Sequence, residues 1–291
     1  MINKKDINQI LLLLNINKIK RYELISNSFE INCLEIELNN TEKLIVKYYN
    51  NKKQGFNAIE SELKNLIFLK KRNLKFFPEI KVKNKDYLVL EYINNDNKKP
   101  FFTNKDLLNP ILKIHNIKHN QFGFDFNTQI GGLEKINTYK KNWVEFFRDQ
   151  RLYYIFNLIN KKNLIDLSFA NKIEILLNKM DLMIPSNPQP RLLHGDLWEG
   201  NILFNNGKFS SFIDPGSFFG HNELEIAYLR WFNPSFIDAD FLAKYRNFIE
   251  IHKDYLTYEP IYQLYYSLLN VYLWDKSYIK DSKNLLRKIK L

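Results

Sequence analysis

Between residues 33 and 49 apolar and polar positions alternate. Leu34, Ile36 and Leu38 share one face, Asn39-Asn40 breaks the run, and Leu44 to Tyr49 resumes it. A period of two around a turn signal predicts an antiparallel hairpin. Over residues 57–70 the period becomes helical, with Ile59, Glu62, Leu66 and Leu69 on one face, so Glu62 points inward and needs a partner while Glu60 points elsewhere. The run Tyr87-Leu88-Val89-Leu90-Glu91-Tyr92-Ile93 reads as a buried strand, and the polar stretch 94–100 after it reads as a linker. Helical periodicity then dominates, over 105–115, 142–158, 169–180 and 241–252. These patterns predict an α+β chain of two lobes. Residues 1–93 form a small antiparallel sheet with one helix, 94–100 a hinge, and 101–291 a larger, mainly helical lobe. Residues 1–17 read as a short helix rather than a signal peptide, because Asn15 interrupts the leucine run and no small-residue cleavage site follows. The chain has no internal repeat.

Composition narrows the function classes. At 291 residues and 45% hydrophobic content the chain buries a large core. No stretch approaches the roughly 18 to 20 apolar residues that cross a bilayer, so no membrane partner is expected. A single cysteine, Cys33, excludes an internal disulfide framework and fits a reducing cytoplasm. The net charge of +11 comes from lysines scattered along the chain rather than clustered. That is the pattern of a solvated basic surface, not of a specific nucleic-acid site, although a positive field also favours a nucleoside triphosphate.

The chemistry is concentrated in His194-Gly195-Asp196-Leu197-Trp198-Glu199-Gly200-Asn201, with Asp214-Pro215-Gly216 following. An Asp, an Asn five residues later and a further Asp beyond is the catalytic-loop spacing of kinases, where a base and two metal ligands converge on one phosphoryl group. Asp196 takes the place of the base, and Asn201 and Asp214 those of the metal ligands. Asn206-Gly207, between Ile202-Leu203-Phe204 and Phe209 to Ile213, is a two-residue hairpin signal. A hairpin turning there sets Asn201 nearly opposite Phe212, with Asp214 about 7 Å further along at about 3.3 Å per residue. One amide oxygen and one carboxylate suit magnesium, which keeps waters and shares substrate phosphates. Upstream, strand Lys47 and inward-facing Glu62 match the kinase pair that holds and orients the nucleotide phosphates, and the backbone of Glu91, Tyr92 and Ile93 is placed to meet the adenine.

With these motifs in view the sequence resembles the fructosamine kinase family, from about Ile25 through Trp231. The resemblance is carried by Gln121-Phe122-Gly123-Phe124-Asp125 with Ile130-Gly131-Gly132, by residues 142–152, by the tryptophan-containing catalytic loop, and by residues 214–221 with Glu223. It implies a protein-kinase-like fold, ATP and magnesium as cofactors, and phosphorylation of the 3-hydroxyl of a ketosamine, small or protein-linked, as a deglycation repair. On that reading Trp198 either flanks the sugar or anchors the loop. His221 is expected to be structural, and Trp143, Phe146 and Phe147 to be core. The departure from the family lies at residues 25–32, where glycines that would bring backbone N–H groups to the phosphates are replaced by Ile-Ser-Asn-Ser-Phe-Glu-Ile-Asn. Asn27 is the residue there that most readily adopts a left-handed conformation, and is expected to contact the nucleotide. Competing readings are a kinase of an aminoglycoside or choline-like substrate, a catalytically weak nucleotide-binding pseudokinase, and a nucleic-acid binder. Oligomeric state is not legible.

Overall fold

The computed structural model describes residues 4–49, 55–83, 86–96 and 98–291, so part of the 1–17 segment and one position of the 94–100 linker lie outside the described residues. Helix α1 (Lys4–Leu14) precedes strands β1 (Ile19–Ser28), β2 (Ile31–Leu38) and β3 (Lys43–Tyr49). Helix α2 (Ala58–Lys71) leads to β4 (Ile80–Lys83) and β5 (Tyr87–Glu91), and the five strands form one antiparallel sheet in the order β1-β2-β3-β5-β4. Strand alternation decides what each face carries. Leu34, Ile36, Leu44, Val46 and Tyr48 pack with Ile10 of α1 in one small core. The opposite parity puts Lys47 on the face covered by α2. That helix starts where the Asn57 side chain accepts from Glu60 N at 3.1 Å, and Ile59, Leu66 and Leu69 bury with Glu62, as the periodicity predicts. The ladder of β5 ends at Glu91, which pairs with Leu44 near the start of β3, so Tyr92 and Ile93 continue without a strand partner, two residues short of the predicted strand.

The second half is helical around small hairpins. In chain order come α3 (Lys105–His115), β6 (Thr128–Ile130), β7 (Leu133–Lys135), α4 (Trp143–Phe147), α5 (Tyr153–Lys161) and α6 (Leu167–Lys179). Then follow β8 (Arg191–Leu193), β9 (Ile202–Asn205), β10 (Lys208–Phe212), β11 (Phe218–Gly220), α7 (Asn222–Trp231), α8 (Phe241–Arg246), α9 (Tyr255–Leu273) and α10 (Tyr278–Lys288). The tyrosine-rich α9 is buried on nearly every side and sits against α5, α7 and α10. Trp143, Phe146 and Phe147 are fully buried core, as expected.

Two helices differ from the sequence pattern. Between α4 and α5 a π turn, Arg148–Leu152, swings Arg151 inward so that its guanidinium donates to Ile136 O and Asn137 Oδ1, each at 2.5 Å. The helix expected over 241–252 stops at Arg246. Ile249 and Ile251 are buried beyond it, and the His252 amide donates to buried Glu223, at 2.5 Å.

Candidate active site

The β9–β10 hairpin turns at Asn206 and Gly207, both with positive φ (51° and 72°), as the two-residue signal predicts. Its register differs by one residue from simple counting. A bulge between Phe209 and Ser211 pairs Ile202 with Phe212, so Asn201 lies beside Ile213, whose amide donates to Asn201 O at 3.1 Å. The bulge thus brings Asn201 one position closer to Asp214 than expected. The Asn201 amide nitrogen donates to Asp196 O at 2.8 Å, which leaves its Oδ1 as an acceptor for a cation. Asp214 itself is held at φ 55°, a strained conformation for a non-glycine residue. Among the described residues there is no group of three or more His, Cys, Asp or Glu side chains able to hold a metal. Asn201 and Asp214 are the side chains here that could contribute oxygens to a cation, a sparse protein contribution of the kind that magnesium accepts.

Asp196 follows β8 in a loop fixed from several sides. His194, fully buried, offers Nε2 at 2.9 Å to Ile213 O and accepts from Asp196 N on Nδ1 at 3.2 Å, so the ring is neutral with its proton on Nε2. Burial lowers its pKa to about 4, which keeps that state at neutral pH. Glu225, from α7, accepts from His194 N at 3.0 Å and Gly195 N at 2.7 Å, and is met by His115 Nε2 at 2.9 Å. At Gly195 φ is +87°, and a Cβ there would run into the Gly216 carbonyl, so the two loops touch through glycines. Burial pushes the Asp196 carboxyl up to about 7, with nearby Lys135 pulling it down and Asp214 pushing it up.

Lys47 closes the site from the sheet. Its ammonium contacts both oxygens of Glu62, at 2.8 and 2.9 Å, and also Asp214 Oδ1. Burial opposes its charge, but the Asp214 and Glu62 carboxylates outweigh burial and hold Lys47 above its ordinary range. Lys47, Glu62 and Asp214 line a cavity of about 380 Å³ together with Glu91, Tyr92 and Ile93. Cys33 also borders it, and burial lifts its thiol to about 11, away from thiolate chemistry.

A second cavity, about 210 Å³, is lined by Asp196 together with Trp198, Tyr228, Phe232 and Trp274, with Asn270 as a further polar group. Trp198 faces both a cavity and its own loop. It lines this cavity, and it anchors the loop, because its indole fills the space a side chain at Gly200 would need.

Asn27 is not brought to the nucleotide cavity. It lies in β1, its amide donating to Asn32 Oδ1 at 2.5 Å, and Ile25 and Ser26 reach the cavity instead. The left-handed residues of this hairpin are Phe29 (φ 50°) and Glu30 (φ 65°), because the β1–β2 register sets the two-residue turn there. Phe29 packs against Gly132 and meets the Trp274 ring edge-on at 5.8 Å between centroids. His221 is structural as expected, buried with Nδ1 3.0 Å from the Tyr262 hydroxyl. Sequence reasoning missed Lys135, Glu225 and the α9 residues of the second cavity. Glu225 had a signal, an acidic residue between the apolar Leu224 and Ile226 of a helix, buried as Glu62 is.

The fructosamine kinase family model matches residues 15–291. A probable ketoamine kinase of Pasteurella multocida is 30% identical over 205 residues, which is 70% of this chain and 69% of that protein. The ketosamine-3-kinase of Mus musculus is 32% identical over 173 residues, 58% of this chain and 54% of that protein. Among solved structures, a Thermobifida fusca protein whose name assigns it to the fructosamine-3-kinases superposes with a TM-score of 0.80 at 20% identity, covering 97% of this chain and 96% of that one. At that identity the likeness speaks for the fold.

Proposed function

The chain belongs to the fructosamine kinase family, and from that premise we propose that it transfers the γ-phosphoryl group of ATP to the 3-hydroxyl of a ketosamine. The products are ADP and the ketosamine 3-phosphate, whose breakdown frees the amine. One observation carries this reading: Asp196 lines an aromatic cavity, Lys47, Glu62 and Asp214 line another of about 380 Å³, and the loops that carry Asp196 and Asp214 touch at Gly195 and Gly216. Residues 94–100 act as the hinge between lobes 1–93 and 101–291. Asp96 supports that role, accepting from Asn206 N at 3.1 Å and so tying the linker to the catalytic hairpin.

In the reaction Asp196 accepts the proton of the attacking hydroxyl, which a carboxyl held near neutrality by burial is suited to do. Lys47, oriented by Glu62, binds the phosphates, and the backbone of Glu91 to Ile93 meets the adenine. Asn201 and Asp214 would hold magnesium, which would supply charge neutralisation on the phosphates. The aromatic walls of the acceptor cavity exclude water from the hydroxyl. The cavity of about 210 Å³ lies below the range of about 300 to 1,000 Å³ that houses drug-sized ligands, and so favours a single sugar unit over a multi-ring aminoglycoside. No helix among the described residues is long and apolar enough to cross a membrane, and we place the activity in the cytoplasm.

The test is magnesium-dependent ADP formation by purified protein with ribulose- and fructose-derived lysine adducts, choline and aminoglycosides, with Asp196→Ala as control. Turnover of a ketosamine that vanishes in the variant is expected. Turnover of an aminoglycoside or choline alone would move the substrate assignment, and none at all from folded protein would leave a nucleotide-binding role.

A further inference from the structure

Lys135, at the end of β7, is 3% exposed, and its ammonium takes part in none of the ion pairs found among the described residues. It donates to two backbone carbonyls, Gly195 O at 2.7 Å and Gly216 O at 2.8 Å, and lies 4.9 Å from the centre of the Phe218 ring. Gly195 directly precedes Asp196, and Gly216 follows Asp214 by two residues. A buried ammonium without a paired carboxylate is costly, and an apolar side chain of similar length would fill the same space without that cost. Burial pulls the Lys135 amine down to about 7, and what its N–H donors supply with or without the charge, and an apolar chain cannot, is a bridge between the two loops that carry Asp196 and Asp214. Both ends of the bridge require glycine, since a Cβ at Gly195 would sit 2.1 Å from the Gly216 carbonyl oxygen and one at Gly216 2.0 Å from the Gln129 carbonyl oxygen, with the Lys135 nitrogen close to each.

We propose that Lys135 is a positioning residue for phosphoryl transfer, pinning the Gly195 and Gly216 carbonyls and thereby fixing the separation between Asp196 and Asp214. The inference rests on the ketosamine kinase reading only for the choice of acceptor. Thr128 assists from the paired strand, its hydroxyl donating to Gly216 O at 3.1 Å. Nothing in the local sequence announces the role, because Gly131-Gly132-Leu133-Glu134-Lys135 looks like a solvated turn.

The experiment compares wild type with Lys135→Met, which keeps the stem and loses the donors, and Lys135→Arg, which keeps charge and donors. Misplacing reacting groups by about 1 Å costs about 10²-fold. Lys135→Met is therefore expected to lower kcat by about 10- to 100-fold with the KM of both substrates changed less than about threefold, and Lys135→Arg to recover most of the loss. A raised KM with unchanged kcat, or equal behaviour of the two variants, would overturn the proposal. Should wild type phosphorylate no ketosamine, that reading fails by itself. Crystal structures of wild type and Lys135→Met then decide the positioning role without activity. Carbonyls of Gly195 and Gly216 that move apart support it, and an unchanged spacing overturns it. If Lys135→Met does not fold, Lys135→Gln takes its place in both measurements.

Discussion

The two hairpins that frame the active site are built on opposite plans. The catalytic side, β9–β10 with its flanking loops, is buried and held redundantly: His194, Glu225, Asn201 and Lys135 all bind backbone atoms next to Asp196 or Asp214. The covering side, β1–β2, exposes most of β1 and makes its turn with two non-glycine residues at positive φ. Rigidity is concentrated where reacting atoms must keep a fixed distance. The exposed β1 has far less burial to hold it.

Changes on the catalytic side should do the most damage. Asp196→Ala removes the proposed proton acceptor and is expected to lower kcat by at least about 10²-fold with little change in nucleotide affinity, as steady-state kinetics would read. Retained turnover would remove Asp196 from the chemistry. Gly195→Ala places a side chain on a residue with φ +87° and against the Gly216 carbonyl. Its expected cost is a few kcal/mol, on the order of 2 to 4, measured by denaturant unfolding. A smaller loss would mean that the loops are less tightly apposed than the contacts imply.

The difference between the two hairpins also explains what the sequence could and could not disclose. Asp196, Asn201 and Asp214 stood out because proton and metal chemistry calls for those types at that spacing, and the Asn206-Gly207 turn signalled the hairpin that brings Asn201 beside Ile213, next to Asp214. The bulge at Phe209 and Ser211 was not legible, since either register suits the alternation until burial selects one. Asn27 was misplaced for a related reason: propensity named the residue best able to adopt a left-handed conformation, but strand pairing with Asn32 decided where the turn fell. Helices α2 and α3 were visible from periodicity, whereas α9 was not singled out, because a helix apolar on nearly every side has little periodicity to show.

Glu62→Gln tests the junction between the two sides. It leaves Lys47 with Asp214 alone and is expected to reduce kcat/KM for MgATP by about tenfold, about 1.4 kcal/mol, while sparing acceptor KM. Away from the reacting atoms, pH should read burial. Burial lowers His221 from 6.5 to about 3, so between those values the unfolded chain binds a proton that the folded one does not. Stability contributed by the neutral ring is complete above pH 6.5 and is lost as pH falls toward 3, with a slope of at most about 1.4 kcal/mol per pH unit. His194, also lowered by burial, acts with the same sign. The unfolding free energy of His221→Gln should therefore fall less steeply with acid than that of wild type, and parallel curves would show that His221 is protonated in the fold.

The smallest effect belongs to the covering hairpin, and its sign is the opposite of the others. At Glu30 φ is 65°, where a Cβ costs about 1 to 2 kcal/mol and glycine costs nothing, so Glu30→Gly relieves strain in the folded turn. Against that gain stands the greater freedom of glycine in the unfolded chain, about 0.5 to 1 kcal/mol, which leaves a net stability change near zero. Nucleotide binding should respond more clearly than stability. The substitution removes a negative charge from the hairpin whose strands border the proposed nucleotide cavity, and would let backbone N–H groups come closer to a polyphosphate there. A two- to fivefold lower KM for MgATP is expected, about 0.4 to 1 kcal/mol, with kcat unchanged. If KM rose instead, the glycine-free turn would be a positive element of nucleotide recognition, and the two hairpins would differ in means rather than in strength.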